Sequence, residues 1–296
     1  MKRILLITLL CLSFGAKTLA AEPFVIAVMD PLAKELACAC IDGFAQRDYK
    51  ALANYLQETG DPAFAKIELV FASSLPVALR KSSTKKVGMV IGKDSVVRAE
   101  LQRAKIASTG IARLLNKTGD TVGFTGLVIV AADDPAKIVA DLKNHRLLFG
   151  PPECEEKYDA AIKLFKKHGV PIPDKPETID KCTEAGFAIL ENETDVPIAA
   201  VVSDYALALI EGCDLIEKGA LRVIDKTESV PFIGIYVTES VDQKMAEKLF
   251  GYLLRTGGEP KLKQALETQG FMNYILRGKV GFISFPVEQA EGNSKN

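Results

Sequence analysis

The chain has 296 residues, 48% of them hydrophobic and 25% charged, with a formal net charge of −1. That composition supplies a packed core, and the interspersed charges form no basic stripe for a nucleic-acid backbone, which excludes nucleic acid as a partner. After the N-terminal segment no stretch approaches the roughly 20 apolar residues that a membrane span needs.

The chain opens Met1-Lys2-Arg3, runs apolar from Ile4 to Phe14, and continues Gly15-Ala16-Lys17-Thr18-Leu19-Ala20-Ala21. A basic start, a short apolar run and a small-residue end form the pattern of a cleaved secretory signal. Residues 1–20 are expected to be removed, with Ala21-Glu22 as the alternative cut. Loss of Lys2, Arg3 and Lys17 brings the net charge to about −4. The processed chain is expected to be soluble, monomeric, and periplasmic or secreted.

Strands are predicted at Phe24–Met29, Ile67–Phe71, Val87–Ile91, Leu127–Ala131, Arg146–Phe149, Ile198–Val202 and Phe232–Val237. Their near-continuous Val/Ile/Leu character fits strands covered on both faces, as in a parallel sheet. Helical spacing falls between them, at Asp42–Glu58, Leu75–Ser82, Ser95–Lys105, Pro135–Asn144, Glu155–His168, Thr178–Leu190, Asp204–Leu215 and Val241–Thr256. This alternation predicts an α/β fold. Asp94-Ser95 and Asp133-Asp134-Pro135 read as helix starts, and His168-Gly169 as a helix end. Residues 286–296 are polar and aperiodic and are expected to form a disordered tail. No low-complexity linker interrupts the chain.

One stretch carries a family resemblance. It runs Gly119-Asp120-Thr121-Val122-Gly123-Phe124-Thr125-Gly126 into Leu127–Ala131, then a helix, then Leu142-Lys143-Asn144-His145-Arg146 and the strand ending at Phe149-Gly150. Val201-Val202-Ser203-Asp204-Tyr205 and Ser229-Val230-Pro231-Phe232-Ile233-Gly234-Ile235 extend the likeness. The chain resembles the type II periplasmic solute-binding proteins of phosphate, phosphite and phosphonate ABC transporters. The resemblance implies a two-lobed type II periplasmic-binding-protein fold. Each lobe would be a mainly parallel sheet flanked by helices, and two crossing strands would join them. Residues 21–122 plus 230–285 would form lobe 1 and residues 123–229 lobe 2. The function implied is capture of a small-molecule or ion ligand in an interlobe cleft for an ABC permease.

Two features depart from that family. Where such proteins often present Ser/Thr-rich loops to phosphonate oxygens, this chain has Gly150-Pro151-Pro152-Glu153-Cys154-Glu155-Glu156. Three acids there oppose a doubly charged oxyanion; they also read as acids complementing a helix N-terminus. The second departure is cysteine placement. Cys38, Cys40, Cys154 and Cys182 all fall at loops that could face a cleft, and Cys213 does not. Three readings stay open: structural disulfides with a leftover thiol, a soft-metal site for copper or zinc at Cys38, Cys40, Cys154 and Cys182, or thiol contacts to a ligand. The metal reading defines the alternative function, a periplasmic metal-binding or redox accessory protein. No cofactor is required by the first.

Strand ends supply the remaining ligand candidates, which are Asp30, Lys93, Asp94, Ser95, Ser203, Asp204 and Tyr205, with Cys154 and Cys182 beside them. The only two histidines, His145 and His168, lie at helix-end turns, so a Ser-His-Asp or Cys-His arrangement lacks its base. There is no P-loop and no dinucleotide fingerprint after the first strand. The chain is expected not to be an enzyme.

Overall fold

A computed structural model describes residues 22–36, 47–115, 123–212, 216–268 and 271–273. The predicted signal segment, Cys38, Cys40, Cys213 and the predicted tail lie outside the described residues. In chain order the elements are β1 (Phe24–Met29), α1 (Tyr49–Glu58), β2 (Ile67–Phe71), α2 (Leu75–Lys81), β3 (Met89–Lys93), α3 (Asp94–Arg103) and β4 (Ser108–Leu114). Then follow β5 (Gly123–Phe124), β6 (Gly126–Ala131), β7 (Arg146–Phe149), α4 (Asp159–Lys167), β8 (Glu177–Thr178), α5 (Cys182–Leu190), β9 (Ile198–Ser203), α6 (Asp204–Gly212) and β10 (Leu221–Lys226). The chain continues through β11 (Val230–Pro231), β12 (Ile233–Thr238), α7 (Gln243–Arg255), α8 (Pro260–Ala265) and β13 (Phe271–Asn273).

Two sheets divide these strands. A six-stranded sheet has the order β13-β4-β12-β3-β1-β2, and a five-stranded sheet the order β10-β6-β9-β7-β8. The chain leaves the first sheet after β4, builds the second, and returns at β12. On the two passes β5 and β11 pair antiparallel, Phe124 opposite Val230 and Gly123 opposite Pro231. We call the part built on the six-stranded sheet the first lobe and the other the second lobe.

The local sequence explains most elements. In β1 every residue from Val25 to Met29 is buried, which suits a strand flanked in parallel by β2 and β3 and covered by helices on both faces. Helix α1 starts where the Asp48 side chain accepts from Lys50 N, and α7 where Asp242 accepts from Met245 N. Helix α7 buries Ala246, Leu249 and Leu253, spaced for one helical face. Gly169 follows α4 with φ of 68°, the left-handed conformation that ends helices.

Several details differ from the sequence reading. Both sheets are mixed, since β12, β4 and β13 pair antiparallel in one and β10, β6 and β9 in the other. The sequence reading passes over β4 and β10 because Arg113, Arg222 and Asp225 interrupt the apolar runs that mark buried strands, and over β13 because it has only three residues. Helix α1 begins at Tyr49 and not Asp42; residues 42–46 lie outside the described part. Pro135–Asn144 is not an α-helix and only Val139–Asn144 makes tight 3-10 turns. There Asp134 Oδ1 accepts from Ala136 N, and Asp141 Oδ2 accepts from Lys137 N and Ile138 N. These side-chain bonds compete with helix formation. Asp94-Ser95 is no cap either: α3 begins at Asp94, which accepts from Tyr236 Oη at 2.9 Å and Arg98 Nε at 3.1 Å.

One glycine fixes how the second lobe closes on its own sheet. A Cβ on Gly126 would run into the Glu156 carbonyl oxygen and lie 2.8 Å from Val201 Cγ1. Gly126→Ala is therefore expected to cost about 1–3 kcal/mol of stability by overpacking. A urea titration would show it as a lowered midpoint with an unchanged slope.

Candidate ligand-binding site between the lobes

Three strand ends meet where the lobes touch. β3 finishes on Lys93 and passes directly into α3, β9 finishes on Ser203 and passes into α6, and β7 is followed by a turn over residues 150–158. Carboxyl ends of strands are where open α/β sheets bind ligands.

Glu156, from the turn, is fully buried between the lobes. Its Oε1 accepts from Lys93 Nζ at 2.6 Å and from Ser203 Oγ at 2.7 Å, while Oε2 is buried without a hydrogen-bond partner. Lys93 comes from the first lobe, so this ion pair, with side chains 7% and 0% exposed, ties the two lobes together. Two more pairs continue the seam outward, Arg98 with Glu155 at 3.2 Å and Arg103 with Glu153 at 3.9 Å. The Glu155 amide adds a bond to Ser95 Oγ at 3.4 Å. All three acids of the turn thus face cations of the first lobe. This corrects their reading as complements of a helix N-terminus, since α4 begins beyond them at Asp159.

Lys157 stands next to this pair, 5% exposed, and donates to Cys182 Sγ at 3.8 Å. Burial works against its charge, whereas Cys182, Cys154 and Glu156 favour it, and its pKa is raised on balance. Burial also raises the Cys154 pKa, against the pull of Lys93 and Lys157, so Cys154 stays a neutral thiol near pH 7. The Tyr205 phenol is held well above its usual range, by burial first and then by Cys182 and Glu156.

An aromatic wall completes the site. Phe232 lies 4.5 Å from Phe124 and stacks on Tyr205 at 5.3 Å between centroids. Lys93 Nζ sits 5.1 Å over the Phe124 ring and the Arg47 guanidinium 5.3 Å over Phe232, each a cation–π contact. Arg47 is held in turn by Asp30, which also accepts from Tyr49 Oη at 2.6 Å.

Of the residues singled out in the sequence, Lys93, Cys154, Cys182, Ser203 and Tyr205 gather around Glu156. Ser95 touches the group through the Glu155 amide. Asp30, Asp94 and Asp204 are engaged elsewhere, the last accepting from Thr125 N at 2.8 Å and Thr125 Oγ1 at 3.1 Å. Cys38 and Cys40 lie outside the described residues. Among the described residues no group of three or more His, Cys, Asp or Glu side chains is placed to hold a metal. An ammonium beside the Cys182 sulfur also puts positive charge where a metal would need ligands. His145 Nε2 pairs with Asp134 Oδ2 at 3.0 Å, away from this group. The site residues missed in the sequence are Glu156, Lys157, Arg47, Phe124 and Phe232. Glu156 and its neighbours were visible only as acids out of place in an oxyanion-binding loop.

Comparison with known proteins decides the family. Residues 45–276 match the family described as ABC transporter, phosphonate, periplasmic substrate-binding protein. The chain belongs to this family. No curated protein matches it by sequence. Among solved structures it is similar to PhnD1 from Prochlorococcus marinus in complex with methylphosphonate, with 12% identity, 85% of this chain and 92% of that one covered, and a TM-score of 0.61. A binding-protein component of an ABC phosphonate transporter from Pseudomonas aeruginosa gives 15%, 86%, 82% and 0.60 in the same order. The periplasmic aliphatic sulphonate binding protein SsuA from Escherichia coli gives 18%, 83%, 71% and 0.54. At these identities the likeness shows the two-lobed binding-protein fold. The phosphonate-binding family serves transport and is not a family of enzymes. Among the described residues no helix is long and apolar enough to cross a membrane.

The interlobe ion pairs are not equivalent. Lys93→Met would leave Glu156 buried and uncompensated, at a cost of about 3–5 kcal/mol, and Lys93→Met combined with Glu156→Met should recover most of it. Arg103→Ala, at a pair 65% exposed on the arginine side, should cost less than about 1 kcal/mol, and Arg98→Ala should cost more than that, since it also takes the Nε bond from the buried Asp94. Chemical denaturation of the four variants checks the ranking.

Proposed function

We propose that the chain is exported to the periplasm or secreted after loss of residues 1–20, and that it captures a small solute between its lobes as a monomer and hands it to an ABC-type permease. Residues 21–122 with 230–285, and 123–229, would move as the two lobes. The observation that carries the reading is the convergence of three strand ends, from both lobes, on the buried Glu156–Lys93 pair. Ligand contacts made to both lobes would stabilise the closed state over the open one. Lys93, Ser203 and Tyr205 would touch the ligand, with Cys154 and Cys182 at its edge. Membership of a transport family supports a role without catalysis. Nothing among the described residues favours the metal or redox alternative.

The test is a thermal-shift panel of oxyanions, amines, amino acids and sugars on the processed chain, with small-angle scattering on any hit. A solute at about 100 times its Kd should add about 2.7 kcal/mol of stability, which raises Tm by roughly 5 °C or more. The hit should also shrink the radius of gyration. A panel without any response would sink the solute-capture reading.

A further inference from the structure

Resting on the export proposed above, we propose that Cys154 and Cys182 are oxidised to a disulfide that fastens the turn over residues 150–158 to the start of α5. Disulfides persist in oxidising compartments outside the cytosol. The consequence falls on the seam between the lobes. Cys154 stands among Glu153, Glu155 and Glu156, the three acids that pair with cations of the first lobe. A cross-link to α5 anchors that gripping turn to its own lobe.

The two thiols leave the sheet side by side. β7 and β8 pair in parallel, Phe149 opposite Thr178, and Ile179 N donates to the Phe149 carbonyl at 2.8 Å. Cys154 lies five residues beyond the first of these partners and Cys182 four beyond the second. The turn folds back on its own start, where Lys157 N donates to the Cys154 carbonyl and Gly150 N to the Lys157 carbonyl. Both sulfurs also act on the same buried groups. After burial, the largest influence on each, Cys182 and Cys154 both raise the pKa of Lys157 and of Tyr205. Among the described residues the two stand as half-buried free thiols, each with a face open to an oxidant.

Their surroundings assign the order of reaction. Lys157 Nζ lies 3.8 Å from the sulfur of Cys182, the first residue of α5. A neighbouring ammonium and the first turn of a helix both favour a thiolate, the form that attacks a disulfide. Cys182 therefore attacks the disulfide bond of a disulfide-bearing oxidant, forming a mixed disulfide and releasing one thiol. Burial raises the Cys154 pKa, against the pull of Lys93 and Lys157, so Cys154 stays protonated until then. It next loses its proton, attacks the Cys182 sulfur and expels the oxidant's other thiol. The pair has lost two electrons and two protons, and the oxidant's disulfide has gained them as two thiols.

The test compares two preparations of the chain. One is recovered after export with its own signal; the other is made in a reducing cytosol without residues 1–20 and then treated with oxidised glutathione. Expected in both is a peptide joining Cys154 to Cys182 in a digest run without reductant, and the two separate peptides after dithiothreitol. The cross-link closes a loop of about 28 residues, so reduction should lower Tm by roughly 5–10 °C and speed amide exchange over residues 150–158. Cys154→Ser and Cys182→Ser should each abolish the linked peptide and shrink the response of Tm to reductant by that amount. If either variant fails to fold, the wild-type peptide map decides alone. Free thiols at both positions after oxidation, linkage of either to another cysteine, or a Tm indifferent to reductant overturns the disulfide and leaves export and solute capture standing. A chain that stays unprocessed in the cytosol overturns the export reading, and this pairing in the cell with it, whatever glutathione does.

Discussion

A carboxylate and an ammonium buried together at 2.6 Å hold the two lobes of this protein in register. Bringing Glu156 and Lys93 out of water is costly, and the cost is offset only when each meets the other and the remaining hydrogen-bonding capacity is filled. Ser203 fills part of it on one side and the Phe124 ring receives the ammonium on the other. Much else follows from that requirement. Gly126 has to lack a side chain so that the Glu156 backbone can come against β6, and Gly150 must do so because a Cβ there would meet the Lys157 side chain at 2.6 Å. The turn's conformation is thus dictated from both ends by the position of one carboxylate.

Around the pair the site divides into three kinds of surface. The aromatic wall of Phe124, Tyr205 and Phe232 comes from both passes between the sheets and from the start of α6, so it sits close to the segments about which the lobes would move. Asp30, Arg47 and Tyr49 brace that wall from the first lobe. The polar groups come from strand ends, where backbone direction is set by the sheet and side-chain position is accordingly reproducible. The thiols of Cys154 and Cys182 line the side next to Lys157, with one of them kept neutral by burial.

The fold was largely legible in the sequence because buried parallel strands write themselves as uninterrupted Val, Ile and Leu runs. β1, β2 and β7 were readable to the residue, and β3, β6, β9 and β12 to within two residues at either end. Among the strands passed over, Arg113 interrupts β4 and Arg222 and Asp225 interrupt β10, while β8 and β13 are only two and three residues long. Site legibility followed a similar logic. Lys93, Ser203 and Tyr205 stand at strand ends, a position that sequence periodicity marks. Glu156 and Lys157 stand in a turn, where nothing in the one-dimensional pattern says which way a side chain points. Arg47, Phe124 and Phe232 belong to the site only through contacts between segments far apart in the chain. Asp30, Asp94 and Asp204 show the converse, strand-end acids whose partners are internal.

The three charge pairs along the seam form a gradient from water inward. At the rim, Arg103 and Arg98 are partly exposed and pair with Glu153 and Glu155; at the base, Lys93 and Glu156 are both buried. Long-range attraction between exposed charges acts on the speed of approach and is screened within about 8 Å at physiological ionic strength. Dehydrated contacts act on the lifetime of what has formed. If the lobes open and close as proposed, closure and release would fall to different residues of one turn. Ionic strength would then adjust how fast the lobes come together, while how long they stay shut would be set at the base, where salt screens much less.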